Sequence, residues 1–204
     1  MTSSHGGGSA AADASRGVPP LDQLFPFPLD GFQLEAIDAL NQGHSVVVSA
    51  PTGSGKTLVG EYAIHRALAH GQKVFYTTPL KALSNQKLRD FREQFGAERV
   101  GLMTGDLTVN REARIVVMTT EIFRNMLYAE ADSGDDPLAD VEAVVLDECH
   151  YMNDSQRGTV WEESIIHCPP SVQLVALSAT VANAGQLTDW IERVHGPTRL
   201  VLSD

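Results

Sequence analysis

Short apolar runs alternate with segments of helical period along most of the chain. The runs HSVVVSA, KVFYTT, RIVVMTT, VEAVVLDE and VQLVALSAT are apolar and largely β-branched, which is typical of strands buried on both faces. The intervening segments, for example 57–69 and 80–95, have helical spacing and are followed by glycine. Such alternation produces a mostly parallel sheet with helices on both faces. The sequence therefore predicts a three-layer α/β domain, with a loop over the acidic residues 130–140.

The run HSVVVSA leads directly into the motif APTGSGKT, and a predicted helix follows it. This is a P-loop, GxxxxGK[ST], with Ala50 in place of the first glycine, in the strand–loop–helix setting that the motif requires. Glycine lets the backbone N–H groups converge on one anion, and the helix N-terminus adds partial positive charge. Lys56 can reach the β- and γ-phosphates of ATP, and the Thr57 hydroxyl can coordinate Mg²⁺. The predicted ATP-binding residues here are Pro51, Thr52, Gly53, Ser54, Gly55, Lys56 and Thr57.

A second group of polar residues, DECH, ends the apolar run VEAVVL. Because a P-loop needs an acid at the end of a neighbouring strand, we interpret Asp147 as the second magnesium ligand and Glu148 as the residue that orients or deprotonates the attacking water. The alternative is an acidic pair that only favours the start of a helix. No further ligands lie at zinc-binding spacing from Cys149 and His150, which disfavours a metal site. Neighbours on a strand point in opposite directions, which disfavours a nucleophilic cysteine with His150 as its base. We therefore expect Cys149 to be a small buried side chain.

Composition limits the functions further. The net charge of −11 disfavours a non-specific nucleic-acid binder, although residues 71–100 contain six basic against three acidic side chains. Two cysteines without CxxC spacing indicate neither a disulfide framework nor a zinc ribbon, so we expect a reducing, cytoplasmic setting. No apolar window is long enough for a membrane span. We expect a disordered tail over residues 1–18 and one monomeric domain over 19–204.

The motifs APTGSGKT, TTPLKALSNQK, TGD, TTE, DECH and SAT occur in this order. In that order they resemble motifs I to III of superfamily 2 helicases. The DExH form of the acid motif, with PLKALSNQK and RGTVWEE, resembles the superkiller-type RNA helicases, including the actinobacterial HelY-like group. The resemblance covers about Leu24 to Asp204. It implies a RecA-like domain that hydrolyses Mg-ATP and couples hydrolysis to RNA unwinding or translocation.

The resemblance also assigns residues to the adenine and to the coupling of the two sites. FPFPLDGFQ resembles an adenine-recognition element in which Gln33 bonds the adenine edge and Phe27 packs on the ring; the alternative is a core phenylalanine and a helix-start glutamine. His150 would link the ATP site to the coupling residues Ser178 and Thr180. These two residues could instead simply satisfy the backbone at a strand end.

For nucleic acid, the resemblance implies contacts to the sugar–phosphate backbone of a single strand, with RNA favoured over DNA. Each of the residues implied to make these contacts could instead be an ordinary helix cap. A second RecA-like domain would complete the ATP site with arginines. Two alternatives to an RNA helicase are the ATPase domain of a DNA repair helicase and a regulatory nucleotide-binding module without catalysis. The implied contacts are Pro79, Lys81, Ala82, Thr104, Gly105, Thr119, Thr120 and Glu121.

Overall fold

Strands and helices alternate through the computed structural model, which describes residues 15–133, 136–150 and 158–203. A four-residue helix α1 opens the described part, and a one-turn 3₁₀ helix, Ala97–Arg99, precedes β3. The helices are α1 Leu21–Leu24, α2 Gly31–Asn41, α3 Thr57–Ala69, α4 Lys81–Phe95, α5 Thr120–Ser133, α6 Gly158–His167 and α7 Ala184–Val194. The strands are β1 Ser45–Ser49, β2 Lys73–Thr78, β3 Val100–Met103, β4 Thr108–Val109, β5 Ile115–Thr119, β6 Val141–Leu146, β7 Gln173–Ser178 and β8 Thr198–Leu202.

These strands form one sheet in the order β4-β3-β5-β2-β6-β7-β1-β8. Every pairing is parallel except that of β4 with β3. Successive side chains of a strand point to opposite faces, so Val46 and Val48 lie in one apolar core and Val47 in the other. Helices α2, α3 and α4 cover the first face, and α5, α6 and α7 cover the second. The predicted three-layer, RecA-like α/β fold with a mostly parallel sheet is confirmed.

Three local features differ from the sequence prediction. Helix α5 runs on to Ser133, into the segment predicted as a loop, because the run YAEA consists mainly of good helix formers. Strand β4 has two residues and helix α1 has four, which is too short for either to show a period. Most of the predicted tail, residues 1–14, lies outside the described residues, whereas Val18 packs against the first core. Within the described part, no helix has the length and apolarity needed to cross a membrane.

Candidate functional site

The loop between β1 and α3 lies at the carboxyl edge of the sheet and turns sharply before α3. Gly53 and Gly55 have φ angles of +82° and +88°, which glycine adopts without strain. The Ser54 N–H donates to the Pro51 carbonyl at 3.2 Å, which closes the turn. Lys56 is 8% exposed, and its Nζ donates to the Ala50 carbonyl at 3.4 Å. The Lys56 side chain is thus held against the backbone at the start of the loop.

The side chain of Gln33 ties this loop to the start of α2. Its Oε1 accepts a hydrogen bond from the Asp30 N–H at 2.8 Å, as in a capping box. Its Nε2 donates to the Gly55 carbonyl at 2.9 Å. Gln33 is therefore a helix-start residue, one of the two interpretations of the sequence, and at the same time a clamp on the phosphate loop.

Phe27 lies on the surface. The alternative interpretation of the sequence, a core phenylalanine, does not hold. The Phe27 side chain is 52% exposed. It lines an open groove of about 220 Å³ together with Leu21, Leu29 and Leu34. The ring of Phe25 packs against the Phe27 ring, with 6.2 Å between the ring centroids. An exposed aromatic face in an apolar groove suits a flat ring ligand.

Asp147 is held in place on both carboxylate oxygens. It follows β6 directly, and its backbone N–H donates to the Thr77 carbonyl at 2.9 Å. Its Oδ2 accepts from the Tyr76 hydroxyl at 2.5 Å and its Oδ1 from the Glu148 N–H at 2.8 Å. Burial, followed by the negative charge of Asp147, raises the pKa of Tyr76 well above its usual value, so the phenol stays a donor. The carboxylate is therefore fixed in orientation.

Glu148 has a φ angle of +54°, in the left-handed region that non-glycine residues rarely occupy. Such a conformation costs on the order of 1 kcal/mol and is most often found at functional sites. With the backbone turned in this way, the Glu148 Oε2 lies 3.0 Å from the Nε2 of His150. The strain thus accompanies a defined contact between two of the predicted site residues.

His150 bridges the acid motif and the SAT segment. Its Nδ1 accepts a hydrogen bond from the Ala179 N–H at 3.1 Å. We therefore assign the proton of a neutral ring to Nε2, which faces the Glu148 carboxylate. His150 thus contacts both the Glu148 carboxylate and the Ala179 backbone. The predicted link between DECH and SAT thus has a direct contact at each end.

The SAT segment also contacts the phosphate loop, because β7 lies between β6 and β1. The Ala50 N–H donates to the Ser178 carbonyl at 3.0 Å. The Ser178 hydroxyl donates to the Ala179 carbonyl at 2.7 Å, whereas Thr180 is exposed.

Cys149 of the DECH motif is 3% exposed, and burial raises the pKa of its thiol to about 12. Cys149 is thus an unreactive buried side chain, as the sequence suggested.

The residues predicted to contact nucleic acid lie on the other half of the same edge. They follow β2, β3 and β5, which are neighbours in the sheet. Lys81, Ala82, Gly105 and Glu121 are exposed, and Pro79 and Thr119 are partly buried. The predicted nucleotide residues and nucleic-acid residues therefore occupy separate halves, which meet where β2 pairs with β6.

The threonines of this second half already have local hydrogen-bond partners. Thr104 and Thr120 are buried, and their hydroxyls donate to Asp106 and to the Thr78 carbonyl, respectively, both at 3.2 Å. The Thr119 hydroxyl accepts from the Ile122 N–H at 3.4 Å at the start of α5. The three hydroxyls thus shape turns and helix starts. A phosphate at this edge would meet the exposed Lys81 side chain and the starts of α4 and α5.

Lys81 forms an ion pair with Asp106. Both side chains are more than half exposed, and the hydrogen bond from Lys81 lowers the pKa of Asp106 below its usual value. Asp106 follows Thr104 and Gly105 in the motif TGD. Any phosphate that binds Lys81 therefore competes with a neighbouring carboxylate.

Comparison with known proteins identifies the family of this two-part site. The profile of the DEAD/DEAH box helicases matches residues 30–187, from the start of α2 to α7. The chain belongs to the DEAD/DEAH box helicase family. The matched residues contain the phosphate loop, the DECH motif and the SAT segment, and the family relationship implies that this helicase domain uses a nucleotide.

Individual relatives agree with this assignment. The chain is 57% identical over 189 residues to the DExH-box ATP-dependent RNA helicase DExH15 of Arabidopsis thaliana, covering 91% of this chain and 16% of that protein. It is 54% identical over 179 residues to the probable helicase HelY of Mycobacterium tuberculosis, covering 88% of this chain and 19% of that protein. The chain thus spans less than a fifth of the length of these relatives.

A solved structure matches the fold. The Mycobacterium smegmatis helicase Lhr, bound to single-stranded DNA and AMP-PNP, superimposes on the helicase domain with a TM-score of 0.69 at 27% identity. The match covers 89% of this chain and 26% of Lhr. The similarity extends over nearly all of the sheet and its helices.

Two side chains of the helicase domain that touch Asp147 were not predicted as site residues. Tyr76 lies inside β2, within a run that carries only an apolar strand pattern. Lys87 lies on α4, with its Nζ 3.9 Å from the Asp147 Oδ2. The only sequence signal for Lys87 is its position at the end of PLKALSNQK. Both contacts cross from one element to another, so no local spacing reveals them.

Proposed function

We propose that this helicase domain binds Mg-ATP at the P-loop half of its carboxyl edge and hydrolyses it to move a single strand held at the other half. The contact that supports this most directly is His150, which bonds Ala179 and faces Glu148. A group positioned to act on water is thereby connected to the segment next to the phosphate loop. Against a nucleotide-binding module without catalysis, both acids of the motif, Asp147 and Glu148, are present.

Nucleotide recognition is divided between two places. Phe27 offers an exposed ring to the adenine base, and Gln33 presents an amide already oriented by Asp30 and Gly55. Lys56 and the backbone N–H groups of the loop bind the β- and γ-phosphates. Gln33 would contact the adenine, and it already bonds the Gly55 carbonyl of the phosphate loop. Binding of the base and binding of the phosphates are therefore coupled. The residues proposed for the phosphates are Pro51, Thr52, Gly53, Ser54, Gly55, Lys56 and Thr57.

The oxygen ligands present fit a magnesium ion. Asp147 supplies a fixed carboxylate, and Thr57 supplies a hydroxyl at the start of α3. When bound, magnesium neutralises negative charge on the phosphate oxygens. Glu148 orients the attacking water and accepts its proton. His150 then transmits the change at Glu148 to Ser178 and Thr180 through Ala179.

For the nucleic acid we propose the sugar–phosphate backbone of a single strand, with RNA as the preferred substrate. DExH15 is named an RNA helicase, whereas Lhr was solved with single-stranded DNA, so DNA is the second candidate. Backbone contacts track a strand without reading its bases. Competition between RNA and DNA of matched sequence, at one stated salt concentration, separates the two. Equal affinity would remove the preference for RNA. The proposed contacts are Pro79, Lys81, Ala82, Thr104, Gly105, Thr119, Thr120 and Glu121.

We further propose that a second RecA-like domain supplies arginines to the ATP site. An arginine of this kind contributes about 10³- to 10⁵-fold in rate in related phosphoryl-transfer reactions. The domain alone should therefore bind nucleotide and turn it over slowly. Residues 19–204 form the proposed domain, and a monomer in the cytoplasm is the proposed state; both cysteines are buried free thiols, which suits a reducing compartment.

The test of the catalytic proposal is Glu148→Gln in a protein that joins this domain to a second RecA-like domain. Nucleotide affinity should stay within about threefold, whereas turnover should fall by about 10²- to 10⁴-fold, since only proton transfer and water orientation are lost. Glu93→Gln on the exposed face of α4 makes the same change in charge away from the site and is the control. Retained turnover in Glu148→Gln would remove Glu148 from the mechanism.

A further inference from the structure

Lys87 directs its ammonium at the carboxylate proposed to hold magnesium. Its Nζ lies 3.9 Å from the Asp147 Oδ2, and the two side chains are 22% and 4% exposed. The same ammonium lies 5.7 Å from the centroid of the Tyr76 ring and 5.8 Å from that of Phe91. Both rings attract a cation through their π faces. The lysine is thus held over two aromatic rings and not free in solvent.

This arrangement depends on residues from three elements. The Tyr76 and Phe91 rings pack edge to face, with 4.9 Å between their centroids. On α3, Gly60 leaves room for the phenol, because a Cβ at that position would lie 3.1 Å from the Tyr76 Cε2. The Tyr76 hydroxyl and the Lys87 ammonium therefore approach the same oxygen of Asp147.

A second carboxylate lies within the electrostatic reach of Lys87. Burial raises the pKa of Glu61 on α3, and hydrogen bonding by Gln94 and the charge of Lys87 oppose that rise. Two cations on one carboxylate repel each other, and the repulsion is strongest where the site is shielded from water.

We propose that Lys87 competes with the divalent cation for Asp147. In the ion-free domain Lys87 is a positioning residue that neutralises and orients Asp147, and its displacement on ion binding sets the magnesium concentration that nucleotide binding requires. This inference rests on the proposed function, because it assumes that Asp147 binds the ion. Replacing Lys87 with a neutral residue should therefore strengthen binding of the divalent cation and lower the stability of the ion-free domain.

The experiment titrates magnesium into the chain with a fluorescent ADP and EDTA as the zero point. Lys87→Met should lower the midpoint magnesium concentration by about three- to tenfold, the effect of one partly buried charge near a divalent ion. Lys87→Arg keeps the charge and should stay within about twofold of the wild type. Arg89→Met is the matched control, since it removes one positive charge from the exposed side of the same helix.

The increase in unfolding temperature on addition of magnesium with ADP is the readout that a purely structural role would not change. In EDTA, Lys87→Met should unfold at a lower temperature than the wild type, and magnesium with ADP should restore more stability to the variant than to the wild type. If Lys87→Met does not fold, Lys87→Gln replaces it in both measurements. An unchanged or higher midpoint in the neutral variant overturns the competition. A wild-type chain that binds ADP without any response to magnesium overturns the proposed ion site itself.

Discussion

Gly53 and Gly55 offer a matched pair of substitutions that separates backbone strain from the Gln33 clamp. Both have positive φ angles, so alanine at either position carries the left-handed penalty of about 1–2 kcal/mol. A Cβ at Gly53 would meet no atom of the described residues within 4 Å, whereas a Cβ at Gly55 would lie 2.8 Å from the Gln33 Nε2. Only Gly55→Ala therefore displaces Gln33 from its two hydrogen bonds.

The size of the difference follows from the bonds that are lost. A typical hydrogen bond contributes about 1 kcal/mol, and a helix cap about 0.5–2 kcal/mol. Gly55→Ala should therefore reduce the free energy of unfolding by about 1–3 kcal/mol more than Gly53→Ala does. Urea unfolding of both variants measures this difference, provided that the m-value stays constant.

A third variant decides the cause. In the part of the chain that the structure describes, Gln33 is the only side chain within 4 Å of the added Cβ at Gly55. In a Gln33→Ala background, Gly55→Ala should cost no more than Gly53→Ala, because there is nothing left to displace. Equal costs of the two glycine variants in the wild-type background would refute the clamp. An excess cost that persists without Gln33 would refute it as well.

Three further predictions concern the rest of the domain. Asp106→Asn should tighten binding of single-stranded RNA at low salt and steepen its salt dependence, because Lys81 loses its competing carboxylate; unchanged affinity in a filter-binding assay would exclude Lys81 from the interface. Gly105→Ala should leave thermal stability unchanged, since its Cβ would meet nothing within 4 Å among residues 15–133, 136–150 and 158–203, so any loss of RNA affinity reports a direct contact; a fall in stability would contradict this. Cys149 and Cys168 have thiol pKa values raised to about 12 by burial, so on the order of 10⁻⁴ of each is thiolate at pH 8. An aromatic disulfide reagent should label them only after addition of urea, and rapid labelling of the folded chain would contradict their burial.

The elements that positioned the site were predictable because their signals are local. The run from Ser45 to Ser49, the loop with Gly53 and Gly55, and the helix from Thr57 follow one another within a short stretch of chain. Alternation of Val46, Val47 and Val48 between the two cores is a property of any strand covered on both faces. These patterns required no knowledge of strand order.

The contacts that tune the site were not predictable, because they depend on the order of strands in the sheet. Tyr76 reaches Asp147 because β2 pairs with β6, and His150 reaches Ala179 because β7 lies beside β6. The ion pair of Lys81 with Asp106 joins the start of α4 to the turn after β3. The left-handed backbone of Glu148 also has no marker, since glutamate rarely adopts it. Local pattern located the strand ends, and the fold determined which of them meet.

Calorimetric titration of the chain with Mg-ATP, before and after Lys56→Ala, tests the central assignment of the phosphate site most directly. Among the described residues, the Lys56 ammonium bonds only the Ala50 carbonyl, at 3.4 Å, so its removal should have a small effect on thermal stability. Its loss should weaken nucleotide binding by at least about tenfold, because the cation that meets the β- and γ-phosphates is gone. A folded Lys56→Ala variant with wild-type affinity for ATP would contradict the account.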